Sequence, residues 1–382
     1  MGQAADGAVF RQRVMKSVQI HAFEMRSPDD TRALEQALEV GAIEGDEIVC
    51  ILVKTEGNGL ANDFTRALAE ISLLSLLCRH LHLGRDDVEA RISLICSGGT
   101  EGVLSPHMTV VCVSYQAGGT DVGSGPRLAF GHAHAQRVVH SGVGIDETAQ
   151  RRAITAAVNQ AMIKAGLYDH SAVHLVLVKA ALPAGLEAGA QQQAKPALRA
   201  ASALGVAVAL AELSPEHLHD LSEVPRSAWS SRACVTAASD LACSEIVVFG
   251  NSPAWGGELV AGHTILADML DSPSVARLLK QLGYDASPQL NAVDTAAVKA
   301  VVLKGEPPRS DIRGHRHTMW DDSDINALRH YRSAMGALLS GLLGCTRHYL
   351  SAGAEHQGPP GGANLCVIMQ APASPTHNAR EP

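Results

Sequence analysis

Apolar residues in this chain come mostly in short continuous runs, not in long amphipathic stripes. Three of these runs end in lysine: Ile48 to Lys54, Val173 to Lys179 and Val298 to Lys304, evenly spaced along the chain. Runs of this length, bounded by turn residues, predict buried strands. Each is followed by an arginine that opens a helix of small residues, at Arg66, Arg199 and Arg332, again evenly spaced. Each copy then closes on a serine with a small or hydroxyl neighbour: Ser97-Gly98, Ser230-Ser231 and Ser351-Ala352. A further apolar strand follows, at Val110 to Val113, Ile246 to Phe249 and Leu365 to Ile368. The period is far longer than the roughly 20–50 residues of solenoid repeats. It predicts an α/β fold of three domain-sized units around a pseudo-threefold axis. Three Lys, three Arg and three Ser would converge there.

The same pattern sets the expected boundaries. A loose leader at 1–16 opens a first unit over 1–115, and a Gly-rich linker spans 116–126. A second unit runs over 127–252, a short linker over 253–257, a third unit over 258–371, and a disordered tail over 372–382. Ser27-Pro28-Asp29-Asp30 predicts a helix start, with Gly41 ending that helix. Helices are expected from Arg66 to about His82 and from Thr148 to Ala165. The Ala-, Gly- and Gln-rich stretch 184–194 predicts a flexible surface loop. His315 to Asp324 predicts a polar loop.

Composition narrows the classes. Apolar residues make up 46% and aromatics only 3%, so cores must be built from Ala, Val, Leu and Ile. The net charge of −8, with no basic patch, argues against a nucleic-acid partner. The 8 cysteines include no C-x-x-C pair, and most sit inside apolar strands. Reduced thiols in a cytoplasmic compartment are therefore expected, with neither disulfides nor zinc ribbons. No apolar run reaches the roughly 18–20 residues of a membrane span.

The candidate chemistry centres on Cys96-Ser97-Gly98-Gly99-Thr100-Glu101, at the end of the run Arg91 to Ile95. A serine followed by glycines puts a hydroxyl and open main chain at a strand end, where a ligand can approach closely. A serine is a weak nucleophile until a neighbour takes its proton. A lysine serves if its pKa falls from about 10.4 toward neutrality, and burial and nearby cations both push it that way. A single strand-end lysine is ordinarily one snorkelling to solvent; three at even spacing argue for a shared centre. Among the histidines, His107, His317 and His356 lack metal-ligand spacing and are read as supporting or surface groups.

The strings Lys54-Thr55-Glu56-Gly57-Asn58-Gly59, Asn62 to Arg66, Ser97 to His107, Asp322 to Asn326 and Gly353 to Pro359 together resemble the cyanuric acid hydrolase/barbiturase family, from about Val18 to Met369. The resemblance implies three repeats forming a central barrel-like core, three Ser–Lys pairs in it, and hydrolytic opening of a cyclic imide without a catalytic metal. It implies Lys179 as base and Ser230 as nucleophile. The sequence by itself leaves Lys54 and Ser97 equally eligible. Ser97, Gly98, Ser231, Ser351 and Ala352 would bind ring oxygens, and Arg66, Arg199 and Arg332 would hold the ring. Lys54 and Lys304 would support the other serines. A structural Mg²⁺ or Ca²⁺ is implied at Glu306, Ala354, Gln357, Gly358, Pro359 and Gly362, where oxygen ligands suit a hard cation. A homotetramer is expected from the family.

Cyanuric acid is the implied substrate, opened to carboxybiuret and then biuret and CO₂. Barbituric acid, opened to ureidomalonate, is the alternative; the two differ at one ring position, N–H against CH₂. Ala327-Leu328, beside Arg332, is the segment expected to sense that difference. A ring-binding protein without catalysis is the remaining reading.

Overall fold

The structure is a computed structural model that describes residues 14–59, 63–117, 125–138, 145–183, 186, 188–218, 223–238, 241–319 and 326–372. Most of the expected leader, the centre of the first linker, the Asn62 position, the Asp322 to Ile325 string and nearly all of the expected tail lie outside the described residues.

The first unit comprises β1 (Val14–Glu24), α1 (Arg32–Glu39), β2 (Ile48–Thr55), α2 (Thr65–Leu81), α3 (Arg85–Arg91), β3 (Ser93–Gly98) and β4 (His107–Ala117). The second comprises β5 (Arg127–Gln136), α4 (Glu147–Ala165), β6 (Val173–Ala181), α5 (Ala188–Ala209), β7 (Ala233–Ala238) and β8 (Cys243–Ser252). After a two-residue strand β9 (Trp255–Gly256), the third unit begins with β10 (Leu259–Leu266), α6 (Ser272–Gln281), α7 (Ala292–Ala297) and β11 (Val298–Gly305). It continues through a short hairpin, β12 (Asp311–Ile312) and β13 (His315–Arg316), to α8 (Ala327–Leu343), β14 (Tyr349–Ala352) and β15 (Ala363–Gln370).

Each unit carries a sheet of one topology. The first strand lies antiparallel to the last, as in β1–β4, β5–β8 and β10–β15. The last is antiparallel to the lysine strand, as in β4–β2, β8–β6 and β15–β11. The lysine strand is parallel to the serine-type strand, as in β2–β3, β6–β7 and β11–β14. Even the irregularity repeats: the register slips between Ile48 and Cys50, between Val173 and Leu175, and between Val298 and Ala300. A local feature kept at the same place three times marks one module used three times.

Strand parity explains how the modules meet. Successive side chains of a strand point to opposite faces. On one face of the lysine strands lie Cys50 and Leu52, Leu175 and Leu177, and Ala300 and Val302, all in a single hydrophobic cluster shared by the three units. The alternate residues of the outer units, Ile51 with Val53 and Val301 with Leu303, pack in separate clusters with their own helices. Lys54, Lys179 and Lys304 continue the inward face at the ends of their strands. The inter-unit contacts, β3 to β8, β7 to β11 and β2 to β14, run round the same centre.

Three elements depart from expectation. Helix α1 begins at Arg32, not near Ser27, because Ser27 and Asp30 spend their side chains on the preceding turn: Ser27 Oγ donates to Asp29, and Asp30 accepts from the Arg26 and Arg32 amides. Much of the stretch expected to be a surface loop is the start of α5, whose Ala and Gln residues are good helix formers. The expected second linker contains β9, which pairs in parallel with Lys16 and Ser17 of β1. Trp255 is buried there and donates Nε1 to Ala165 O at 2.7 Å. This segment therefore ties the second unit to the first unit's sheet. No helix of the described residues is long and apolar enough to cross a membrane.

Candidate active site

The register of the parallel pairs decides which hydroxyl faces which lysine. Lys54 stands opposite Ser97 and Lys304 opposite Ser351. Lys179 stands opposite Thr236. Lys54 Nζ lies 3.2 Å from Ser97 Oγ and donates to Gly98 O at 2.7 Å. Lys304 Nζ lies 3.2 Å from Ser351 Oγ and 3.4 Å from Ala352 O. Lys179 Nζ lies 3.4 Å from Glu70 Oε2 on α2 of the first unit.

All three lysines are buried. Burial pushes the Lys54 amine well below the ordinary lysine value, and Arg332 and Lys304 add to the shift. Burial likewise lowers Lys304 to about 8, with Arg199 and Arg332 acting in the same direction. Two amines of lowered proton affinity therefore sit against serine hydroxyls, a base–nucleophile contact repeated in two units.

One cavity of about 150 Å³ is bordered by Lys179, Lys304, Ser97, Ser351 and Thr236, with Lys54 against Ser97. A cavity near that size holds a benzene-sized ring. Arg66, Arg199 and Arg332 reach it from the three helices that follow the lysine strands, and Gly98 and Ala352 border it. Carboxylates hold the arginines. Arg199 forms two bonds to Glu355, at 2.7 and 2.6 Å. Arg332 grips Glu101 through Nε at 2.6 Å and through its second nitrogen. Arg66 lies 3.4 Å from Asp63. Arg332 belongs to the third unit and Glu101 to the first, while Arg199 belongs to the second and Glu355 to the third. The arginines therefore both face the cavity and lock the units together.

The main chain beside Ser97 is bare for a reason. A Cβ on Gly98 would lie 2.2 Å from Asp63 Oδ2, and Gly99 adopts φ +100°, where only glycine is unstrained. Leu328, in the segment expected to sense the ring position, borders the cavity.

The structure does not bring Ser230 and Ser231 to this cavity. Ser230 precedes β7, and the position opposite Lys179 comes several residues later, at about 3.3 Å per residue of extended chain. Ser230 is wholly buried and structural: its Oγ accepts from the amides of Arg232 and Ala233, and its amide donates to His356 O. Ser231 is bound through its amide and hydroxyl to Glu212. The residue at the expected place is Thr236, followed by Ala237 and Ala238, which also border the cavity. Two signals in the sequence point to it. Cys234 and Thr236 share strand parity, as Ile95 and Ser97 do. The string Thr236-Ala237-Ala238-Ser239-Asp240 also matches Ser97-Gly98-Gly99-Thr100-Glu101 and Ser351-Ala352-Gly353-Ala354-Glu355, each with an acid at its end. Glu70 carried no such signal.

The histidines lie apart from the cavity. Burial lowers His107 to about 4, its Nδ1 within 2.8 Å of Ser105 O. His356 Nδ1 lies 2.6 Å from Ala228 O. His134, Cys243 and Glu245 come within ligand distance of one another, but they border a different cavity.

The residues implied for a structural cation form one loop. Glu306, Ala354 and Gly358 border a common cavity with Glu355. Burial and the Glu355 charge raise the Glu306 carboxyl, whose cationic neighbour Arg226 is 3.6 Å away. The carbonyls of Ala354 and Pro359 each accept one amide within the loop, from Gln357 and Gly362, and retain a second lone pair; Gly362 O, implied as a further ligand, already accepts both the Glu306 amide and the Tyr331 hydroxyl. An acid raised by a like charge, beside carbonyl oxygens, fits a hard cation. The Gln357 side chain is turned away, accepting from Val235 N, so only its carbonyl suits that role.

Three concatenated sheets around an Arg- and Lys-lined, ring-sized pocket define a hydrolase of cyclic amides. The family model described as amidohydrolase ring-opening protein matches residues 19–370, and the chain belongs to that family. It is 40% identical to the cyanuric acid amidohydrolase of Bradyrhizobium sp. (strain ORS 375) over 376 residues, covering 93% of this chain and 98% of the relative. It is 36% identical to the cyanuric acid amidohydrolase of Pseudomonas sp. (strain ADP), covering 94% of this chain and 100% of that one. A solved cyanuric acid hydrolase, described as an innovation by structural concatenation, superposes with a TM-score of 0.85 at 34% identity, covering 94% of this chain and 100% of its own. The crystal structure of the enzyme from A. caulinodans superposes with a TM-score of 0.81 at 36% identity, covering 93% and 99%.

Proposed function

We propose that this chain hydrolyses cyanuric acid, opening the ring to carboxybiuret, which loses CO₂ to give biuret. The observation that carries the reading is the repeated contact, at 3.2 Å, of a buried lysine of lowered proton affinity with a serine that borders a ring-sized cavity. Relatives of matching length that bear the name of this activity support it. A lysine takes the serine proton as the hydroxyl adds to a ring carbonyl. The arginines grip the carbonyl oxygens around the ring and favour charge developing there. Lys179, beside Glu70, supplies a further cation.

A divalent cation held by Glu306 and the carbonyls of Ala354, Gln357, Gly358 and Pro359 would pin the loop that carries Glu355, and through it Arg199. Its contribution is to structure. The protein works as a homotetramer in the cytoplasm.

The test is substrate loss with cyanuric and barbituric acids in parallel, before and after chelation, with melting curves. Cyanuric acid alone should be consumed. Chelation should lower the melting temperature by several degrees, and added Mg²⁺ or Ca²⁺ should restore it. Turnover of barbituric acid alone would move the substrate to that ring. Binding of either ring without turnover would make the chain a binding protein.

A further inference from the structure

We propose that Ser97 is the attacking hydroxyl, with Lys54 as its base, and that the second-unit pair of Lys179 and Thr236 holds the ring. This rests on the hydrolase reading and departs from the second-unit dyad that family resemblance implies. The second unit has changed both partners. Its hydroxyl is Thr236, a β-branched residue with a stiff χ1, whose Oγ1 lies 3.5 Å from Val178 O. Its lysine is paired with the Glu70 carboxylate, 3.4 Å away. A lysine engaged by a carboxylate suits holding a carbonyl oxygen better than taking a hydroxyl proton.

The first unit has neither handicap. Lys54 is aimed at Ser97 by its short bond to Gly98 O, and the nearby carboxylate Glu101 is committed to Arg332 and Arg329. Gly98 leaves the chain beside Ser97 open to the ring. The third unit is similar but looser: Lys304 lies farther from Ala352 O, and Ala352 puts a methyl beside Ser351. Lys304 also keeps more of its proton near neutrality.

The step balances. Ser97 Oγ bonds to a ring carbonyl carbon as its proton passes to the Lys54 amine. The ring C–N bond breaks, and that proton goes to the departing nitrogen. Water then gives a proton to Lys54 and its oxygen to the same carbon. The bond to Ser97 breaks, and Ser97 Oγ takes the proton back. One water is consumed per ring opened.

The experiment maps where a fluorophosphonate probe, which reacts with activated hydroxyls, attaches to the full-length protein, and compares Ser97→Ala, Ser351→Ala, Thr236→Val and Thr236→Ser. The adduct is expected on the peptide carrying Ser97. Ser97→Ala should lower kcat/KM about a thousandfold while still binding the ring by calorimetry. Ser351→Ala and Thr236→Val should lower it by roughly tenfold to thirtyfold, mainly through KM, and Thr236→Ser should not raise it. An adduct on Ser351 or Thr236, no adduct at all, or a Ser97→Ala protein within tenfold of the parent would overturn the assignment. An adduct on Ser97 in a protein that leaves cyanuric acid intact would uphold Ser97 and reject the substrate instead.

Discussion

Lys54→Met is expected to lower kcat/KM by about 10³–10⁴-fold, the upper range for loss of a positioned general base. The methionine should not unfold the protein. Lys54 is fully buried, and an unbranched apolar side chain of similar length fits its tunnel without a charge to desolvate. The stability of the parent carries a matching signature. Burial, Arg332 and Lys304 lower the folded-state value of Lys54, while Glu101 and Cys234 oppose them. Between that depressed value and the ordinary lysine value near 10.4, the folded protein binds fewer protons than the unfolded chain. Stability therefore rises with pH across this window. Lys304 adds the same slope from about 8 upward. Lys54→Met should remove the Lys54 part of that slope, together with the acid limb of the rate profile. Melting curves and kcat/KM from pH 6 to 10 read both; a variant within tenfold of the parent would contradict the assignment of Lys54 as base.

Arg332→Ala is the second large effect. Arg332 is buried, borders the cavity and holds Glu101 with two bonds. Removing it leaves a partly buried carboxylate with only Arg329, 3.4 Å away and partly exposed. The cost of orphaning a buried ion is about 3–5 kcal/mol, and the remaining Arg329 places this case near about 3 kcal/mol. Turnover should fall at least about a hundredfold near neutrality, for two reasons. A grip on the ring is lost, and the Lys54 amine loses a cation that lowers it while Glu101, which raises it, stays. The acid limb should consequently move to higher pH. Adding Glu101→Gln should recover most of the stability and little of the turnover. A limb that does not move would show that Arg332 does not act on Lys54.

The three-unit plan was legible because a strand ending in an inward lysine is an unusual pattern, and it occurs at even spacing. The lysine and arginine positions, and two of the three hydroxyls, followed from it. The third hydroxyl did not, because residue type outweighed strand parity: Ser230 is a serine near the right distance, whereas Thr236 sits on the inward face one residue beyond Val235. The start of α5 was hidden by a composition shared by linkers and helices, with Pro196 inside it as a further false sign of a break. Strand β9 spans only Trp255–Gly256 and exists because β1 offers an edge, so nothing local could announce it. Glu70 was invisible for a related reason: it lies on the helix of one unit and meets the lysine of another.

This last point bears on how three similar modules make one working centre. Arg332 with Glu101, Arg199 with Glu355, and Lys179 with Glu70 are all contacts between units. A single unit would lose these pairings, so the site and the assembly of the sheets stand or fall together. Among the described residues only the second unit's lysine has a carboxylate from a neighbouring unit's helix, because the positions matching Glu70 of α2 in α5 and α8 are Ala203 and Gly336. That asymmetry separates a lysine paired with a carboxylate from two that face serine hydroxyls.

The most direct measurement is an NMR titration of lysine side chains carrying ¹³C at Cε, with Lys54 and Lys304 assigned from their methionine variants. The predicted result is a Lys54 resonance that titrates well below about 10.4, with Lys304 titrating near about 8. A Lys54 resonance that titrates together with the exposed lysines would contradict the claim that this pocket holds a free amine beside a serine.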